Sequence, residues 1–128
     1  MTKKGIHTDN APAAIGPYQQ GIRLGDWVFT SGQIALDPAS GNFMAGEIEQ
    51  ETELTLKNIE AILRAEGLSM DHVIKVTVYL SDMNDFARMN QVYEKRFANS
   101  KPARACVQVA ALPKGAKVEI DVIAAAHG

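Results

Sequence analysis

The hydrophobic spacing of this chain changes period repeatedly, and that alternation restricts the folds open to it more than any other feature. Across residues 47–66, Ile48, Thr52, Thr55, Leu56, Ile59, Ile62 and Leu63 recur at the spacing of one helix face. Glu47, Glu49, Glu51 and Glu53 crowd the front of that segment, Lys57 and Arg64 come later, and Gly67 follows. This order complements the helix dipole and supplies a left-handed C-terminal stop. Residues 72–80 return to strict alternation, with Ile74, Val76, Val78 and Leu80 on one side and Val73, Lys75, Thr77 and Tyr79 on the other. Ser81 or Asp82 then caps a second helix, whose buried stripe is Phe86, Met89, Tyr93 and Phe97 and whose exit is marked by Pro102.

Strand-like runs flank these segments. Residues 26–34 are rich in β-formers, with Gly21, Arg23 and Gly25 suggesting an antiparallel partner just upstream. Residues 103–109 and 117–124 alternate again and are joined through a turn at Leu112-Pro113-Lys114-Gly115. The order β-β-α-β-α-β-β predicts one domain over residues 1–128. Its architecture is α+β in two layers, with two helices on one face of a mixed sheet.

The uncovered face of that sheet is expected to carry Lys75, Thr77, Arg104, Gln108 and Glu119 mixed with Val73, Tyr79, Cys106 and Ile123. Such a face is too apolar for water and too polar for a core. Packing against identical faces resolves the conflict, so a homo-oligomer is expected; a half-solvated face in a monomer is the competing arrangement.

Composition narrows the function. Thirteen basic residues face 15 acidic ones, a net charge of −2, so extended electrostatic binding to nucleic acid or anionic membrane is not the default. The longest apolar run, Val122 to Ala126, is far too short for a membrane span, and no apolar segment follows Lys3 and Lys4 to make a secretory signal. The lone Cys106 excludes an internal disulfide and suits a reducing, cytoplasmic setting. His7, His72 and His127 share no ligand spacing, so no metal is expected, and no nucleotide, dinucleotide or serine-hydrolase motif is present. A cofactor is not expected.

Arg104 is the most informative residue, because a mid-strand guanidinium needs an anion and its planar fork fits a carboxylate. Glu119, expected on an adjacent strand, is one candidate partner, which would make the pair structural; a bound carboxylate is the other. Burial of Glu119 would raise its pKa toward acid–base work. Cys106 shares the Arg104 face but has no histidine near it in sequence, which argues against a nucleophile. Gly16-Pro17-Tyr18 offers a phenol on a rigid loop, and Ser31-Gly32 offers a hydroxyl beside a backbone that a ligand can approach.

In combination, Gly16-Pro17-Tyr18, Phe29-Thr30-Ser31-Gly32-Gln33, Leu56-Lys57-Asn58, Pro102-Ala103-Arg104 and the stretch from Leu112 to Ile120 resemble the Rid/YjgF family of reactive intermediate deaminases, in order and over nearly the whole chain. The resemblance implies a chorismate-mutase-like fold and a homotrimer with a barrel-like core and ligand clefts between subunits. It implies hydrolysis of enamines and imines such as 2-aminoacrylate to 2-keto acids and ammonia, without a cofactor. Arg104 and Glu119 would be catalytic, and Arg104, Tyr18, Ser31 and Cys106 would bind the substrate. Gln19, Ala105, Gln108 and Ala111 depart from residues many relatives carry. The alternatives are a non-catalytic protein that binds carboxylate metabolites in the same cleft and, last, RNA cleavage, for which an aromatic fraction of 6% provides no stacking platform.

Overall fold

The computed structural model describes residues 2–127. Strands β1 (Lys3–Ile6), β2 (Gly21–Leu24) and β3 (Trp27–Thr30) come first. Helix α1 (Ile48–Arg64), strand β4 (Val73–Leu80), helix α2 (Phe86–Phe97) and strands β5 (Ala103–Gln108) and β6 (Val118–Ala125) follow. The six strands form one sheet in the order β1-β2-β3-β6-β4-β5. Only β4 and β5 run parallel, joined through α2; the other pairs are antiparallel. The expected mixed sheet with two helices is therefore present, with one addition. The strand Lys3–Ile6 was absent from the periodicity reading because most of it is polar and exposed; it is a strand through its ladder to β2.

Helix α1 begins at a capping box. The Glu47 side chain takes the backbone N–H of Gln50, and Gln50 Oε1 accepts from Glu47 N at 2.9 Å. It ends before Gly67, whose φ of 73° is the left-handed stop expected there. Neither Ser81 nor Asp82 caps α2 itself, whose N-cap is Asp85 with no side-chain hydrogen bond; Asp82 acts one turn earlier. It accepts from Asn84 N at 2.9 Å and starts a short 3-10 turn, Met83–Asp85, that leads into the helix. The core lies between the helices and the sheet, where Leu56, Ile59, Ile62 and Leu63 meet Val76, Val78, Leu80, Val118 and Ile120.

Two expectations about sheet faces are corrected. A register shift between Val73 and Lys75 sends Val73 into the core and leaves Ile74 exposed, the reverse of simple alternation. In β5 the faces are inverted. Arg104, Cys106 and Gln108 pair with Val76, Val78 and Leu80, which point under the helices, so these three lie on the helix side. Ala105 and Val107 occupy the open face with Lys75, Thr77, Tyr79, Glu119, Asp121 and Ile123. The mixed character expected of that face holds, and Trp27 and Phe29, stacked with centroids 6.5 Å apart, extend it.

Buried carboxylate Glu51 ties α1 to the start of β6. It accepts from Lys117 N at 2.9 Å, while Lys117 Nζ lies 3.4 Å from it and donates to Gly46 O at 2.8 Å. Removing the acceptor strands a backbone N–H. Glu51→Ala is therefore expected to destabilise the fold by about 2–3 kcal/mol, measured as a shift of the urea midpoint at unchanged slope.

Candidate functional site

The residues singled out from sequence fall into two groups, on opposite faces of the sheet. The first surrounds Glu119. Strand β6 places this side chain on the open face opposite Tyr79. The segment after β3 runs back alongside β6 through a two-way backbone bridge, Gln33 N to Ile120 O at 2.8 Å and Ile120 N to Gln33 O at 3.0 Å. That bridge brings Gly32 directly against the Glu119 carboxylate, where a Cβ would collide with Oε2. Tyr18, Gly32, Gln33, Lys114 and Glu119 line a cavity of about 360 Å³ with Ile15. The Tyr18 loop turns at Gly16, whose φ of 142° excludes most side chains, and Tyr18 N donates to Gly16 O at 2.9 Å. Ser31 adjoins Tyr18 in a neighbouring depression. Its hydroxyl donates to Gln19 O at 2.6 Å, which leaves its lone pairs as acceptors for a ligand.

Burial pushes the Glu119 carboxyl above the ordinary glutamate range, and the like charge of Asp121 adds to the rise. Burial also raises Asp121, opposed by the 3.1 Å hydrogen bond that Tyr79 Oη donates to it and by Lys75. Burial, followed by the charge of Asp121, raises Tyr79 in turn.

The second group surrounds Arg104 on edge strand β5. Its guanidinium Cζ lies 4.7 Å from the Tyr93 ring centroid and 5.3 Å from that of Phe86, both on α2. Its Nη1 donates to Asn90 Oδ1 at 2.6 Å. The Arg104 cavity, about 740 Å³, also includes Lys101, Pro102 and Phe97. Cys106 is half-buried against the core, and burial raises its pKa more than Arg104 lowers it, so it is held as a thiol. Gln108 is occupied structurally, accepting from Met83 N at 2.7 Å.

Within one chain the structure thus joins Tyr18 to Glu119, with Ser31 nearby, and Arg104 to Cys106, but does not join the two groups. The expectation that Glu119 lies on a strand adjacent to Arg104 is also corrected: β4 intervenes, and the two side chains leave the sheet on opposite sides. An Arg104–Glu119 pair inside one chain is excluded. Sequence reasoning missed Asn90. The signal was a polar residue four after Phe86 and three before Tyr93, which puts it on the aromatic face of α2. Among the described residues no cluster of His, Cys, Asp or Glu could hold a metal ion, and no helix is long and apolar enough to cross a membrane.

Comparison with known proteins gives a consistent result. The family model described as Endoribonuclease L-PSP matches residues 8–126. A RutC family protein of Pyrococcus horikoshii is 53% identical over 122 residues, covering 95% of this chain and 97% of its own. The 2-iminobutanoate/2-iminopropanoate deaminase of Mus musculus is 48% identical, covering 97% and 92%. Among solved structures, Escherichia coli TdcF with bound serine is similar at a TM-score of 0.91 and 48% identity, covering 97% of this chain and 99% of that one. A protein of the conserved Rid family from Yersinia pestis matches at 0.95 and 42% identity, covering 98% and 100%.

Two outcomes are expected from this geometry. Because Glu119 and Asp121 have raised pKa values, the folded chain holds protons that the unfolded chain releases. Their favourable contribution is complete below the ordinary values of 4.5 and 3.8 and is lost as pH rises through the raised ones. The Glu119→Gln/Asp121→Asn variant should therefore melt above the wild type at about pH 8, with the gap closing toward about pH 5; parallel melting curves would contradict this. Gly32→Ala should displace the Glu119 carboxylate and abolish its raised titration, followed by the carboxyl ¹³C shift against pH.

Proposed function

This chain belongs to the Rid/YjgF family, and from that premise we propose that it is a 2-imino-acid deaminase that works as a homotrimer, with each site built between two subunits. Its substrates are reactive enamines and imines such as 2-aminoacrylate, and its products are 2-keto acids and ammonia. The observation that carries the reading is the division of the candidate residues between two faces. Arg104 sits on an edge strand and Glu119, Tyr18 and Ser31 surround a cavity on the open face, so cation and carboxyl converge only when β5 of one copy approaches the open face of another. The mixed open face, with Trp27, Phe29 and Val107 among its exposed apolar residues, supports the same assembly.

The chemistry fits these groups. Arg104 holds the substrate carboxylate through its fork, which orients the C=N carbon toward Glu119 of the neighbouring copy. Glu119 as carboxylate accepts a proton from water as the oxygen attacks that carbon of the protonated imine, whose π electrons move to nitrogen to give a neutral carbinolamine. Its raised pKa suits it to hold that proton and return it to the nitrogen. The carboxylate so restored takes the carbinolamine hydroxyl proton as the C–N bond breaks, releasing ammonia and leaving the keto group, and then gives that proton up to solvent. The acceptor lone pairs of Ser31 face an N–H or O–H of the substrate, and Tyr18 forms one wall. Cys106 contributes its backbone, since its thiol is protonated and half-buried.

The deaminases named in mouse and cattle, each 48% identical, support this activity, and the bound serine of the Escherichia coli relative supports a ligand of amino-acid size with one carboxylate. An RNA substrate finds little support in 13 basic against 15 acidic residues.

The test is a coupled assay in which an amino-acid oxidase or a threonine/serine dehydratase supplies the imine and keto-acid release is followed. Wild type should accelerate release. Arg104→Ala and Arg104→Lys should each lower kcat/KM by roughly 10–100-fold, because a point charge cannot replace the fork. Full activity in the lysine variant would contradict two-point binding. No acceleration with several imines, alongside retained binding of 2-oxobutanoate, would favour a metabolite-binding protein.

A further inference from the structure

We infer that Asn90 and the rings of Tyr93 and Phe86 are positioning residues for Arg104, holding its guanidinium in a fixed plane while leaving its charge free for a carboxylate ligand. The inference rests on the reading of Arg104 as the substrate's carboxylate partner.

Four arginines touch helix α1 or α2 side chains, and they are treated differently. Arg64 meets Glu60 of its own helix at 3.4 Å. Arg88 grips Glu47 and Glu49, each at 2.8 Å, and Arg96 grips Glu53 and Glu60. Arg104 has no carboxylate within 4.0 Å among the described residues. Its single side-chain acceptor is neutral, the Asn90 amide oxygen at 2.6 Å. The orientation of that amide is fixed from its other end, because Asn90 Nδ2 donates to Glu94 Oε1 at 3.0 Å, so only the oxygen can face Arg104.

The two rings complete the cradle. Tyr93 is 7% exposed and its hydroxyl has no partner among the described residues, so the ring face, not the phenol, is what it offers Arg104. A long exposed arginine otherwise loses rotamer freedom on meeting its ligand. Stacking and one neutral hydrogen bond remove that freedom in advance and leave Nη2 and Nε without side-chain partners among the described residues.

The choice between asparagine and aspartate separates positioning from mere structure. Asn90→Asp keeps the shape and adds an ion pair to Arg104, but it also replaces the donor to Glu94 with a second carboxylate. It is therefore made in a Glu94→Gln background, whose amide restores a donor there. A structural clamp would be as strong or stronger, with catalysis unchanged. A positioning residue that must stay neutral would instead hand Arg104 a competing carboxylate.

Five measurements test this on the purified full chain: melting temperature, Kd for 2-oxobutanoate by calorimetry, KM, kcat and the side-chain ¹⁵N spectrum of Arg104. In the Glu94→Gln background, Asn90→Asp should melt no lower than Glu94→Gln alone, yet raise Kd and KM at least tenfold with kcat within about threefold. Asn90→Ala should raise KM more modestly, Tyr93→Phe should match the wild type, and Tyr93→Leu should resemble Asn90→Ala. Side-chain ¹⁵N spectra of Arg104 should show slow guanidinium rotation in the wild type and averaged signals in Asn90→Ala. Wild-type Kd and KM in both Asn90 variants, with Arg104→Ala impaired, would overturn the positioning role alone. Unaltered binding and turnover in Arg104→Ala, or a wild type that does neither, would overturn the site reading beneath it.

Discussion

The parallel ladder between β4 and β5 is the interaction on which the site depends. It sets Arg104 opposite Val76, Cys106 opposite Val78 and Gln108 opposite Leu80, so all three share the helix side of the sheet. A slip of one residue would turn Arg104 away from α2 and bring Ala105 and Val107 beneath the helix. Several contacts hold the register. Val76, Val78 and Leu80 are fully buried, Cys106 packs against the same core, Val109 N reaches Leu80 O at 2.9 Å, and Gln108 accepts from Met83 N. A parallel pair needs a crossover, and α2 supplies it. The helix that makes the ladder possible therefore also supplies the rings and the amide that meet Arg104.

Much of the fold was legible because burial and periodicity agree there. Helix α1 lies within its expected bounds, since Leu56, Ile59, Ile62 and Leu63 form a buried stripe between a capping box and a left-handed glycine. Strand β6 alternates without interruption between core and open face. Where the reading failed, polarity and burial were decoupled. Edge strand β5 has no fully buried residue, so its pattern of arginine, cysteine and glutamine against alanine and valine could not identify the covered side. Arginine can lie on the covered side because its stem and planar head stack on aromatic rings while its nitrogens stay wet. The bulge at the start of β4 is similar: no residue type there announces it, and its effect is to exchange Val73 for Ile74 in the core.

The candidate site was legible by residue type but not by placement. Arg104, Glu119, Tyr18 and Ser31 were all singled out, yet strand order decides which of them meet, and strand order is a long-range property. Adjacent in the chain does not mean adjacent in the sheet: β5 and β6 follow one another, but β4 separates them. Asn90 was invisible for a different reason. Its importance lies in neutrality, and a lone asparagine on a helix has no distinctive pattern until its two hydrogen bonds are seen.

The separation of Arg104 from Glu119 has an electrostatic consequence that bears on the chemistry. Were the two on one face and about 4 Å apart, their attraction at an effective dielectric of 20 would be about 4 kcal/mol. That pairing would lower the Glu119 pKa and occupy the guanidinium at once, so the site would lose its proton acceptor of raised basicity and its anion hook together. Kept on opposite faces, Glu119 is raised by burial and by Asp121, while Arg104 meets only rings and an amide. In the assembly proposed above, a substrate placed between them has its carboxylate on the cation and its imine carbon toward the carboxyl. The ligand then separates the two charges and prevents their collapse into a salt bridge. A small molecule with an anionic end and an electrophilic carbon one bond away would meet both groups in that assembly, and a 2-imino acid has both.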